Sequence, residues 1–309
     1  MDNLLVTGGS GMVGYAMKKE APNANFPIRD KMNLLNYKSV QEHFLNNNYN
    51  SVVHLAAKVG GVKANSDYVG DFFTENTLIN TNLLDICMKN GVEKVVSLLS
   101  TCVYPDSVSY PLTENQLHLG EPHSSNFGYA YSKRMLEVQS RAYRKQYGAK
   151  YICAIPNNLY GENDNFHLED SHVIPALMRK IYEAKINNKN KIEVWGNGEP
   201  LREFTYSGDI AKILLFLLEN YEDASPINIG NTKEYSIYSV VNILREVLDY
   251  NGDVVWNTNM PNGQHRKPSD NSKLLNLGWS EGDYTSLEDG LIKTCEWFTI
   301  NYGTARGMS

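Results

Sequence analysis

The chain has 309 residues, 42% hydrophobic and 21% charged, with a formal net charge of -6 at pH 7. That balance fits an ordinary globular enzyme of one large domain or two modest ones. It argues against generic binding to nucleic acid or to an anionic membrane, but leaves room for a local basic pocket that takes a phosphorylated small molecule. No stretch approaches the roughly 18 uninterrupted apolar residues of a membrane span, and the sequence runs almost directly into a strand without the marks of an export signal. The four cysteines, Cys87, Cys102, Cys153 and Cys295, lack metal-binding spacing and read as free thiols in a reducing, cytoplasmic setting. No metal is expected.

Asn3 to Thr7 reads as a short strand, and GGSGMVG follows at once. Gly9, Gly11 and Gly14 satisfy G-x-G-x-x-G, while Gly8, Gly11 and Gly14 satisfy G-x-x-G-x-x-G. Glycines here serve a tight turn and the close approach of backbone to a pyrophosphate, which the next helix N-terminus receives. The strand before and the amphipathic helix after favour that role over a plain structural turn. A second, poorly marked strand is expected at Asn25 to Ile28, ending at Arg29. An arginine about 20 residues beyond the glycines suits the 2′-phosphate of NADP, where an acidic residue would suit NAD. Asp30 lies next door, and an exposed loop arginine is the competing reading.

Ser51 to Ala57 is the next expected strand, followed by a loop with the pair Gly60 and Gly61, which suggests backbone close to a ligand or a mobile turn. Asp71 to Asn90 reads as a helix. Val95 to Leu99 reads as a buried parallel strand, and polarity switches abruptly at Ser100, Thr101 and Cys102. Ligands gather beyond the carboxyl ends of such strands. On their own these residues would be a turn and a small buried thiol. After a long polar loop over 106–127, a helix starts at Gly128 and carries Tyr129 and Lys133 on one face. A further strand is expected at Lys150 to Ile155. Strands alternating with helices predict an α/β fold, a doubly wound parallel sheet of the Rossmann type.

With TGGSGMVG, HLAAKVGGVKAN, STCVYP, GYAYSK, PNNLYGENDNFH, SHVIPALMRK and VWGNGEPLREF in family order from about Asn3 to Trp297, the chain resembles the extended short-chain dehydrogenase/reductases. Cys102 together with DSHVIPALMRK narrows the likeness to the branch that epimerises and reduces GDP-4-keto-6-deoxymannose. The resemblance implies an NADP-dependent oxidoreductase with epimerase activity. It implies catalytic roles for Tyr129, Lys133, Ser100, Cys102 and His172, with Cys102 and His172 as the base and acid of epimerisation. It implies cofactor contacts at Gly8, Gly9, Ser10, Gly11, Met12, Val13, Gly14, Arg29, Ala56, Ala57, Leu99, Tyr129, Lys133, Pro156, Leu159 and His172. Substrate contacts would fall on Lys180, Trp195, Arg202 and Asp270, with Lys180 keeping the charge but not the fork of the arginine found in some members. Lys133 would lower the Tyr129 pKa by its charge. A homodimer built on helices 71–90 and 128–146 is also implied.

In the second half, Val173 to Ala184 reads as a helix preceded by His172, and Asn187 to Lys191 as a polar turn. Trp195 fits base stacking or core filling, and Arg202 a diphosphate or a surface carboxylate. Asp209 to Leu218 is a helix and Pro226 to Ile229 a strand that, by the resemblance, returns to the cofactor sheet. Residues 1–157, completed by about 205–232, would bind the dinucleotide; 158–204 and 233–309, including GQHRKPSD, would form a smaller substrate domain. Of the histidines, His54 and His43 read as structural, and His167 competes with His172 for the acid role. Two other readings stand beside this one. One is a different nucleotide-4-keto-sugar reductase or epimerase, such as one making GDP-colitose. The other is an NADP-sensing regulator without turnover, disfavoured because Tyr129 and Lys133 are both kept.

Overall fold

The computed structural model describes residues 3–168, 170–260 and 265–308, so Gly263 and Gln264 of the GQHRKPSD stretch lie outside the described residues. In chain order the elements are β1 (Leu4–Thr7), α1 (Met12–Glu20), α2 (Tyr37–Leu45), β2 (Ser51–His54), α3 (Val62–Asp67), α4 (Val69–Lys89) and β3 (Lys94–Leu98). Next come α5 (Phe127–Tyr147), β4 (Lys150–Pro156), β5 (Asn158–Tyr160), α6 (Val173–Ile186), β6 (Lys191–Trp195), β7 (Leu201–Tyr206) and α7 (Ser207–Asn220). The last are β8 (Ile227–Ile229), β9 (Glu234–Ser236), α8 (Ile237–Val247), β10 (Asp253–Asn257), α9 (Ser272–Asn276) and α10 (Leu287–Asn301).

A five-stranded parallel sheet in the order β1-β2-β3-β4-β8 carries the first half. Its strands alternate between two apolar faces. Leu4, Val6, Val53, Val96 and Ile152 pack with Ile210, Leu214 and Leu217 of α7, whereas Leu5, Val52, Val95 and Tyr151 pack with Leu83 and Leu84 of α4 and Leu136 of α5. Helices cover both sides, which is why the strands read as nearly continuous apolar runs. The later strand Ile227–Ile229 pairs with Ala154–Pro156, so the chain does return to this sheet.

Two strands are shorter than expected. The one at Asn25 to Ile28 shrinks to a bridge at Asn25, whose N–H donates to Leu4 O and whose O accepts from Val6 N, both at 2.8 Å. Pro27 has no N–H to extend the ladder. β2 ends at His54 because the Leu55 and Ala56 N–H groups donate to Thr7 Oγ1, each at 3.2 Å, instead of to a strand. Asn25 lies on one side of β1 and β2 on the other, which makes the end of β1 the topological switch point of the sheet.

A second core holds the other half. Ile174, Leu177, Met178 and Ile181 of α6 pack with Val240 and Leu244 of α8 and with Leu291 and Phe298 of α10. Two smaller sheets serve it, β5-β7-β9 and β10-β6. Trp195, on the outer face of β6, is 60% exposed and does not fill the core. Among the described residues no helix is long and apolar enough to cross a membrane.

Candidate active site

The glycine-rich turn fits a dinucleotide. Gly8 has φ +74°, and a Cβ there would stand 2.7 Å from Ala56 N. A Cβ on Gly14 would run into the Gly8 carbonyl, so both glycines let turn and helix close on each other. Gly11 caps α1 with no side-chain bond to the first-turn amides, leaving those N–H groups for an anion. Met12, Val13, Ala56 and Ala57 stand around this turn, Ser10 on its exposed side and Gly9 buried against Phe26. Arg29 is exposed, on the loop after Asn25.

A buried hydrogen-bond chain ties that turn to α5. Thr7 Oγ1 and His54 Nδ1 are 2.8 Å apart, His54 Nε2 and Asn80 Oδ1 3.0 Å, and Asn80 Nδ2 donates to Ser132 O at 3.3 Å. Burial and the Lys133 charge push the His54 pKa down to about 3, so its imidazole is neutral and acts as a spacer. His43 stacks on Tyr49 and is likewise structural.

Lys133, the neighbour of Ser132, donates from Nζ to Leu98 O at 2.7 Å and lies 5.8 Å from the Tyr129 ring centroid. This bond fastens α5 to the carboxyl end of β3, where the chain turns through Ser100, Thr101 and Cys102. Ser100 Oγ accepts from Cys102 N at 3.4 Å and caps the tight turn Thr101–Val103. Leu99 is buried beneath it. Tyr129, Lys133 and Cys102 interact by charge, so the structure brings these three to one place with Ser100 beside them. Burial lowers the Lys133 pKa to about 8 and raises that of the Cys102 thiol, which Ser100, Lys267 and Lys133 pull back down. The Tyr129 hydroxyl departs from expectation: burial, and then Cys102, push its pKa up. Lys133 does not lower it, since its ammonium is turned to Leu98 O. Tyr129 therefore holds its proton at neutral pH.

His172 stands apart on the exposed N-cap of α6, with no side-chain hydrogen bond among the described residues. Its charge acts on Asp164, a buried carboxyl with one oxygen unpartnered, raised to about 6 by desolvation against the pull of His172 and Arg306. Gly61 N donates to Asp170 O at 3.1 Å, so the Gly60–Gly61 turn supports the loop that leads to His172. His167 accepts from Asp170 N at 3.1 Å and is engaged in that same loop. Pro156 closes β4 at the carboxyl edge of the large sheet, and Leu159 follows in β5, a strand of the sheet β5-β7-β9.

Lys180 donates to Glu193 O at 2.8 Å, two residues before Trp195 on the exposed face of β6. Arg202 is partly buried near Tyr110. Asp270 is turned to local use, accepting from Ser272 N at 2.8 Å. Sequence reading missed Lys267. Its burial lowers its pKa, and Cys102, Arg202 and Asp106 all act on it by charge, so it links the thiol to Arg202. The segment after it is held by Glu203, which accepts from Ser269 N at 2.9 Å, and by Leu112 N donating to Pro268 O. No local pattern marks a lysine in a loop as facing a strand end over 160 residues away in sequence.

Residues 4–230 match the model of the NAD dependent epimerase/dehydratase family. A GDP-L-fucose synthase of Dictyostelium discoideum is 41% identical over 98% of this chain and 97% of its own. A crystal structure of a GDP-L-fucose synthetase from Naegleria fowleri bound to NADP superimposes with TM-score 0.92 at 38% identity, covering 98% of this chain and 94% of that one. A GDP-L-colitose synthase of Yersinia pseudotuberculosis is 34% identical over 96% of this chain and 97% of its own.

Proposed function

The chain belongs to the NAD dependent epimerase/dehydratase family, and from that premise we propose that it converts GDP-4-keto-6-deoxy-D-mannose to GDP-L-fucose. It is an NADP-dependent oxidoreductase with epimerase activity. The observation that carries the reading is the Lys133–Leu98 bond, which sets the Tyr129/Lys133 pair against a strand end bearing both Ser100 and Cys102.

The C4 ketone of the substrate makes the protons at C3 and C5 removable. Cys102 and His172 supply the base and the acid: one removes each proton, and the other gives a proton of its own to the opposite face of that carbon. Cys102 sits among Lys133 and Lys267, whose charges favour the thiolate against burial. Ser100 and Tyr129 donate hydrogen bonds to the oxygen that becomes negative as each proton leaves. Bound NADPH supplies the hydride that reduces C4. Tyr129, protonated at neutral pH, gives its proton to the C4 oxygen. Lys133 keeps α5 against the strand end and can hold the nicotinamide ribose. Arg29, exposed on the loop after Asn25, would take the 2′-phosphate, and the glycine turn with Ser10, Met12 and Val13 would take the diphosphate at the head of α1. Lys180, Trp195 and Arg202, with Lys267 beside Arg202, would supply the basic and aromatic contacts for GDP. Asp270, which accepts from Ser272 N just before α9, would contribute to substrate binding from that turn.

We divide the chain functionally at the sheets: 1–157 with about 205–232 for the dinucleotide, the rest for the substrate, a division that the apolar cores follow except around α9, where Leu274 packs with the dinucleotide sheet, and at Tyr206, which packs in the other core. A homodimer through α4 and α5 is supported by Phe73, Leu78, Met135 and Val138, apolar side chains between 38% and 49% exposed on those two helices. Four free thiols fit a cytoplasmic setting. The test is incubation with NADPH and a panel of nucleotide 4-keto-6-deoxy sugars, with product identification by NMR. GDP-L-fucose is expected from the wild type, and an unepimerised or partly epimerised GDP-deoxyhexose from Cys102→Ala. Preference for a different 4-keto sugar, or GDP-L-fucose at full rate from Cys102→Ala, overturns the reading.

A further inference from the structure

We propose that Arg134 is a positioning residue for Cys102: its guanidinium locks the Thr101–Val103 turn and presents a fixed positive charge to the thiol. The inference rests on the reading of Cys102 as an acid–base group in epimerisation. Successive residues of α5 clamp the strand end from two directions. Lys133 holds Leu98 O; Arg134, about 100° further round the helix, reaches past Cys102. Its Nε donates to Val103 O and its Nη1 to Gly120 O, each at 2.7 Å. One planar fork therefore joins the residue after Cys102 to the far end of the loop that follows it.

The charge has no carboxylate partner. Arg134 is 6% exposed, its Nη2 is buried without a hydrogen-bond partner, and no ion pair engages it among the described residues. Glu137, one turn along α5, is committed to His118 Nε2 at 2.8 Å and Arg141 Nε at 3.2 Å. The Tyr131 ring, 5.3 Å away, supplies a face but no charge. A buried cation satisfied only by carbonyls and a ring is costly unless an anion forms nearby. The groups that act on it by charge are the Tyr131 hydroxyl and the Cys102 thiol, and burial weakens its own hold on the proton. Cys102 also faces Lys133 and Lys267, with Ser100 as its hydrogen-bond partner. Of these two acids, the thiol ionises more readily than a phenol. Arg134 thus adds a buried cation without a carboxylate beside the Thr101–Val103 turn, behind Lys267 and Lys133 in its action on the Cys102 thiol.

The test is the pH dependence of Cys102 alkylation by iodoacetamide in the NADP-loaded protein, read by mass spectrometry; the other cysteines are at most 3% exposed. Arg134→Gln should move the inflection to higher pH and slow alkylation about tenfold on the acid side. Arg134→Lys, which keeps the charge, should restore the wild-type inflection. Deuterium incorporation from D2O into the GDP-sugar should fall about as much in Arg134→Gln, and NADPH oxidation less. A folded Arg134→Gln with the wild-type profile overturns the proposal and leaves Arg134 as a loop staple. If Arg134→Gln does not fold, Arg134→Met is read in its place: an inflection moved to higher pH supports the proposal, and the wild-type profile overturns it. Alkylation needs no sugar, so its pH profile tells a failure of this inference apart from a failure of the proposed function, which shows instead as inertness toward GDP-4-keto-6-deoxy-D-mannose.

Discussion

Asp164→Asn should stabilise the protein at high pH relative to low pH. The Asp164 carboxyl is raised from 3.8 to about 6, chiefly by burial, with His172 at the α6 N-cap and Arg306 in the C-terminal segment pulling it down. The folded chain therefore holds this proton to higher pH than the unfolded chain does. Stability falls as pH rises from about 4 to about 6, and the full cost, about 3 kcal/mol for 2.2 units, is present above that window. Asparagine cannot ionise. Its own fixed cost, an amide donor beside the oxygen that had no partner, is independent of pH and cancels in a comparison across pH. Integrating the linkage between pH 5 and pH 8 gives about 1.4 kcal/mol of relative gain for the variant. Urea unfolding followed by tryptophan fluorescence at both pH values measures it through the shift in midpoint. A wild-type-to-variant difference that stays constant within about 0.5 kcal/mol would refute the buried, ionising Asp164, since one group moved by two units cannot titrate silently.

Tyr129→Phe should nearly stop NADPH oxidation while Ser100 still polarises the ketone, so NMR in D2O should show slower but continuing exchange at C3 and C5. Losing one oxyanion donor costs about 10²–10³ in rate, which bounds how slow that exchange becomes. Arg29→Ala should weaken NADPH roughly ten- to over a hundredfold and NADH little, by calorimetric titration; equal wild-type affinity for the two cofactors contradicts the 2′-phosphate contact. Arg202→Ala should raise KM for the GDP-sugar and leave the NADPH Kd unchanged. A parallel fall in cofactor affinity would assign Arg202 to the other site.

Much of this molecule was written locally. The turn at Gly8 to Gly14 is legible because strand, glycines and helix are contiguous and each glycine answers a short-range clash, and Tyr129 and Lys133 share a face because four residues make roughly one helical turn. The parallel strands read clearly where helices bury both faces, and poorly at Asn25, where Pro27 lets only a single bridge form. Side-chain environments were not legible in this way. A lysine beside a tyrosine suggested a lowered phenol pKa, yet Lys133 spends its ammonium on Leu98 O, and desolvation governs Tyr129. Lys267, Arg134 and Asp164 carry no motif. The first reaches Cys102 because Glu203 and Leu112 hold the segment that follows it, the second because the loop over 104–120 folds back onto α5, and the third because the chain from Asn163 to Asp170 tucks a carboxyl away from water. Periodicity and turn chemistry act over a few residues, so the sequence alone determined the elements and the cofactor turn. Burial and charge are sums over residues far apart in the chain, so only the tertiary structure decided which groups share the pocket and which hold their protons.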